Sequence, residues 1–127
     1  MTEKTTLDPK IAEALSAGMG TIDITTAGRK SGKPRRLEIV FHNIGGRIYI
    51  SGMPSPRRRS WLANLDANPA FTFHLKGRVK ADLSAQARII TDEAERRTLL
   101  TTIARNWKRK DVETMVLQSP LIEVTLE

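Results

Sequence analysis

From Thr21 onward the chain alternates apolar and polar residues with a period of two, interrupted by clusters of Gly, Pro and Asn. Ile22 and Ile24 alternate with Asp23 and Thr25, which predicts a strand to Thr26. Gly28-Arg29-Lys30-Ser31-Gly32-Lys33-Pro34 reads as a turn, and Leu37, Ile39 and Phe41 then share one face of a second strand, making a basic-tipped hairpin. Asn43-Ile44-Gly45-Gly46 turns the chain again, into Arg47 to Ser51 with Ile48 and Ile50 on one face and Tyr49 on the other. Phe71, Phe73 and Leu75 form a fourth alternating run. Val79, Ala81 and Leu83 begin a fifth that continues to Ile90, and Ile122, Val124 and Leu126 form a sixth.

The period changes to that of a helix in four places. Thr2 to Met19 place Ile11, Ala12, Leu15 and Met19 on one side and end at Gly18 or Gly20, predicting a loosely packed leading helix. Gly52 to Arg59 holds Pro54 and Pro56 and is a loop; Ser60 then caps a short helix through Leu65 that stops before Asn68-Pro69. Thr91 or Asp92 caps the longest helix, whose apolar positions Leu99, Leu100, Ile103, Ala104 and Trp107 cover a sheet face. Asp111 to Leu117 is a last helical stretch before Ser119-Pro120. The sum is a mainly β, α+β fold: six antiparallel strands in a small closed or partly closed barrel with helices outside. One domain is expected, with 1–20 as a helical segment leading into the barrel, 21–127.

Composition narrows the chemistry. There is no cysteine, which excludes a disulfide scaffold, thiol catalysis and Cys-ligated metals, and two histidines are too few for a His-rich metal site. His42 and His74 are expected at the surface or hydrogen-bonded near strand ends. No window is apolar enough for a membrane span and the first ten residues lack a signal-peptide core, so a cytoplasmic location is expected. Twenty-one Lys and Arg against fourteen Asp and Glu give +7, which favours anionic partners. Nucleic acid is disfavoured among these, because aromatics are only 5% and stacking platforms are lacking.

Two basic clusters could hold an anion. Arg29, Lys30, Lys33, Arg35 and Arg36 surround the Gly-bounded turn, where charges and backbone amides suit a phosphate or carboxylate, although a solvated hairpin tip is an equally good reading of the charges alone. Arg57-Arg58-Arg59 precede Ser60-Trp61-Leu62-Ala63-Asn64 at a helix N-terminus, a setting that suits a phosphate-bearing ring compound. A core anchor is the commoner use of such a Trp. There is no Gly-x-Ser-x-Gly, no Ser-His-Asp set and no convincing carboxylate pair, so an enzyme built on this chain has no catalytic side chain of its own and relies on a cofactor.

At these residues the sequence resembles the deazaflavin-dependent nitroreductases, split-barrel relatives of pyridoxamine-phosphate oxidases and FMN-binding proteins. The likeness rests on Thr25 to Arg35, Ser51, Trp61 to Pro69 and Pro120 to Val124, in order, and covers about residues 21 to 127. It implies coenzyme F-420, a hydride carrier with a phosphodiester and an acidic oligoglutamate tail. Lys30 and Arg35 would meet phosphate and tail, with Arg58 and Arg59 as further cations; Trp61 and Asn64 would help hold the cofactor, and the Ser51-Gly52-Met53 backbone would lie beside the ring. The acceptor would be a quinone, nitro compound or activated alkene. The family's Lys-Gly-Gly-like loop is here Gly52-Met53-Pro54-Ser55-Pro56, and its acceptor-side tyrosines are absent, Tyr49 being the only Tyr. FMN is the alternative cofactor, a non-catalytic module for lipid or haem is the alternative role, and fold analogy suggests a homodimer.

Overall fold

Residues that alternate along each strand separate cleanly into an interior and an exterior. In the computed structural model, which describes residues 8–127, the elements run α1 (Pro9–Leu15), β1 (Met19–Ala27), β2 (Pro34–Ile44), β3 (Arg47–Ser51), α2 (Ser60–Ala67), β4 (Ala70–Lys76), β5 (Lys80–Ile89), α3 (Glu93–Asn106), α4 (Val112–Gln118) and β6 (Leu121–Leu126). All six strands close into one antiparallel barrel in the order β1-β2-β3-β6-β5-β4. Ile22, Ile24, Phe41, Ile48, Ile50, Phe73 and Ile122 point inward and form one buried cluster. Burying a side chain the size of Phe73 stabilises the fold by about 1.5–3 kcal/mol.

Each end of the barrel is stopped by a helix. At the end where β1, β3 and β5 finish, α2 inserts Trp61 and Leu65 into the inner cluster. At the other end α1 contributes Leu15, whose carbonyl accepts from Asn43 Nδ2 at 2.8 Å. The outward face of β3 is covered as well: Tyr49 joins Leu99, Leu100, Ile103, Met115 and Leu121 in a second cluster beneath α3 and α4. Asp92 caps α3 through a 2.9 Å bond from the Glu95 amide.

Several expectations change. The leading helix is shorter than its periodicity: Asp8 caps it, it ends at Leu15, and Ala12 is exposed. Met19 is not on its apolar side but opens β1, because Gly18 at φ +86° turns the chain into the sheet. The first barrel strand therefore starts before residue 21, and the expected helical positions 2–7 lie outside the described residues. Ser60 does not cap α2. It is the first helical residue, Arg59 occupies the cap position, and no side chain bonds the first-turn amides. His42 is neither exposed nor hydrogen-bonded: it is fully buried, edge-on to Trp107 with centroids 5.0 Å apart, and both ring nitrogens lack a partner. No helix among the described residues is long and apolar enough to cross a membrane.

Candidate functional site

The hairpin between β1 and β2 is fastened to α2 by buried polar contacts. Asn64 Nδ2 donates to Thr26 Oγ1 at 3.1 Å, while Asn64 Oδ1 accepts from both the Arg29 amide and Arg29 Nη1, each at 3.1 Å. Asn64 and Thr26 are almost wholly buried, so these bonds are shielded from competing water. Within the turn the Gly28 amide donates to the Lys33 carbonyl at 2.8 Å and the Gly32 amide to the Gly28 carbonyl at 2.7 Å. Gly32 sits at φ +72°, and a Cβ at Gly28 would stand 2.9 Å from Ser31 Oγ and 3.2 Å from the Lys33 carbonyl. Both glycines are therefore required by the turn itself.

Between this hairpin and the first turn of α2 lies a groove of about 520 Å³, bordered by Arg29, Lys30, Arg35, Ser60, Trp61 and Asn64. Arg29, Lys30 and Arg35 are exposed and make no ion pair among the described residues. Arg36 also borders the groove, but Asp23 neutralises it at 2.9 Å. Hydrogen bonds from Lys76, then Arg36, hold the Asp23 carboxyl below the usual range. The groove consequently keeps a surplus of positive charge beside the N-terminus of a helix.

Four of the sequence-predicted residues, Lys30, Arg35, Trp61 and Asn64, thus meet in one place. The others do not join them. Arg58 pairs with Asp66 at 3.0 Å, Arg59 Nη2 donates to the Met53 carbonyl at 2.6 Å, and both face a second groove on the opposite side of α2. Ser51 Oγ is buried and donates to the Pro120 carbonyl at 2.6 Å, leaving only its backbone for other contacts. Gly52 packs against Pro120 and Arg59, and Met53 is exposed, with Arg109 Nη1 2.9 Å from its sulfur. Trp61 combines both readings, since it is buried in the core and also borders the groove.

Arg29 and Ser60, which the sequence placed in the two clusters without a specific role, also line the groove. A Thr25–His74–Asp82 line also exists, with Thr25 Oγ1 and Asp82 Oδ1 each 2.7 Å from opposite nitrogens of His74. It spans β1, β4 and β5 on the barrel exterior with its hydroxyl in mid-strand, and it borders neither groove.

Residues 4–126 match the family described as F420H(2)-dependent quinone reductase. The chain belongs to this family. It is a deazaflavin-dependent oxidoreductase whose cofactor is coenzyme F-420. Solved structures agree in fold. The conserved hypothetical protein Rv2991 from Mycobacterium tuberculosis is 15% identical, with a TM-score of 0.71 over 100% of this chain and 86% of that one. An F420-H2 dependent reductase (FDR-A) is 22% identical, with a TM-score of 0.60 over 83% of this chain and 93% of that one. A putative pyridoxamine 5'-phosphate oxidase from Listeria innocua is 16% identical, with a TM-score of 0.64 over 93% and 91%. At these identities the likeness is that of the split β-barrel.

Proposed function

We propose that the hairpin groove holds the phosphate and acidic tail of coenzyme F-420, and that the acceptor is a quinone. The observation that carries this reading is the set of unneutralised cations, Arg29, Lys30 and Arg35, around a groove that also receives the uncapped N-terminus of α2. A polyanion fits such a surface: guanidinium and ammonium groups bind phosphate and carboxylate oxygens, and helix amides add donors. Asn64 holds the hairpin in register with α2, Trp61 supplies an apolar wall, and the Ser51-Gly52-Met53 backbone lies beside the ring.

When bound, the reduced coenzyme supplies a hydride to an electron-poor acceptor. The side chains bind, orient and exclude water; none acts as a nucleophile. Homodimerisation in the cytoplasm belongs to the same reading, by fold analogy.

The test is a fluorescence titration with coenzyme F-420 and, separately, FMN across a range of salt concentrations. Saturable binding that prefers F-420 and weakens with salt is expected, since the contacts are exposed ion pairs. Equal binding of both, or affinity indifferent to salt, would remove the groove from the cofactor site.

A further inference from the structure

Among the described residues, four buried side-chain polar atoms lack a hydrogen-bond partner: both nitrogens of His42, Arg59 Nε and Ser119 Oγ. The His42 ring is packed against Trp107. The other two belong to residues that border one groove of about 610 Å³, on the side of α2 away from the hairpin. Buried polar atoms without partners are uncommon, and two of these belong to residues of one groove.

The groove is cationic at one side and apolar at the other. Arg57 borders it and makes no ion pair among the described residues. Arg96, also in the wall, donates to the carbonyls of Ile90, Val116, Met115 and Ser119 at 2.5–3.3 Å, so its charge has no carboxylate opposite it. The single acidic residue at the rim, Glu93, is paired with Arg97 at 3.1 Å. Leu62, Val116 and Leu117 supply the apolar side, and Leu117 is 80% exposed. The groove also adjoins the proposed ring position: a Cβ on Gly52 would stand 3.2 Å from Pro120 Cγ and 3.6 Å from Arg59 Nη2, and both of those residues border it.

We propose that this second groove binds the hydride acceptor and selects an aromatic or quinoid acid, its anionic group against Arg57 and Arg59 and its ring against Leu62, Val116 and Leu117. This rests on the coenzyme reading given above. A quinone bearing a carboxylate gains two electrons and one proton as hydride from the reduced coenzyme and a second proton from water. It leaves as the hydroquinone, and the coenzyme is left oxidised.

Binding is tested without turnover, using 2-naphthoate and the neutral 2-naphthalenemethanol as calorimetric probes of the full chain. Naphthoate should bind at least tenfold more tightly. Arg57→Ala should abolish most of that preference, and Leu117→Glu, at an exposed position, should weaken naphthoate by like-charge repulsion. Kinetically, 1,4-naphthoquinone-2-carboxylate should show a KM about tenfold below that of 2-methyl-1,4-naphthoquinone, and Arg57→Ala should erase the difference. Equal affinity for the two probes would overturn the proposal, as would displacement of naphthoate by coenzyme F-420. If F-420 fails to bind and naphthoate is still preferred, the anion groove stands and the coenzyme reading falls.

Discussion

The hairpin groove and the α3 side of the barrel use arginine in opposite ways. Around the groove, Arg29 and Arg35 carry no ion pair among the described residues. On the α3 side, Arg88 bonds Glu95 at 2.6 Å and Glu123 at 2.8 Å, and Arg97 bonds Glu113 at 2.7 Å and Glu93 at 3.1 Å. These bonds raise both guanidinium groups above their ordinary range and hold Glu95 and Glu113 below theirs. Arg96 goes further and joins α3 to the ends of β5 and α4 through four carbonyls. The difference separates charge that the fold consumes from charge left for a ligand. A net +7 therefore says less about binding than does the place where the surplus collects.

The largest expected effect lies on the α3 side, at His42. Desolvation lowers its pKa from 6.5 to about 4, so the folded state holds it neutral where the unfolded chain would protonate it. The linked stability is fully present above pH 6.5 and is lost as pH falls from there towards 4, about 3 kcal/mol in all. Denaturant midpoints at pH 7 and pH 4.5 should show His42→Leu losing less stability on acidification than the wild type. Next comes Arg96→Met, which strands several carbonyls and should cost about 2 kcal/mol at neutral pH while F-420 affinity of the folded protein is unchanged. A combined loss of affinity there would break the division between the two regions.

Lys30→Ala with Arg35→Ala should do the reverse, weakening F-420 at least tenfold, about 1.4 kcal/mol, with the melting temperature unchanged. Unchanged affinity would remove both residues from the site. The smallest effect is expected from Arg97→Ala. Its pairs are exposed, so only a slight loss of stability is expected at low salt, read as a small drop in the denaturant midpoint, and less at high salt.

Much of the barrel was legible because a small cylinder forces each strand to alternate. Ile48 and Ile50 on one side of β3 and Tyr49 on the other followed directly from spacing, and each faces a different cluster. The limits have a physical cause too. Alternation fixes faces but not neighbours, so the pairing of β6 with β3 and β5 could not be read from local pattern. His42 lies in an outward-facing position that would be wet in a bare barrel, and only the packing of α3 makes it dry. At the groove, the Gly-bounded basic turn announced itself. The Arg29–Asn64 contact joins residues 35 apart, and Thr25–His74 joins residues 49 apart; neither separation leaves a local signal.

The closure of the barrel is uneven. β1 pairs with β2 from Met19 to Ala27, but with β4 only over Asp23, Ile24 and Thr25. At that seam side chains supplement the backbone, through His74 bridging Thr25 and Asp82, and Lys76 reaching both Asp23 and Glu38. The seam is therefore the cylinder's zip. Thermal opening should begin there, unrolling the barrel into a flat sheet with β1 and β4 as its edges, and amide protons along it should exchange with solvent before those between β1 and β2.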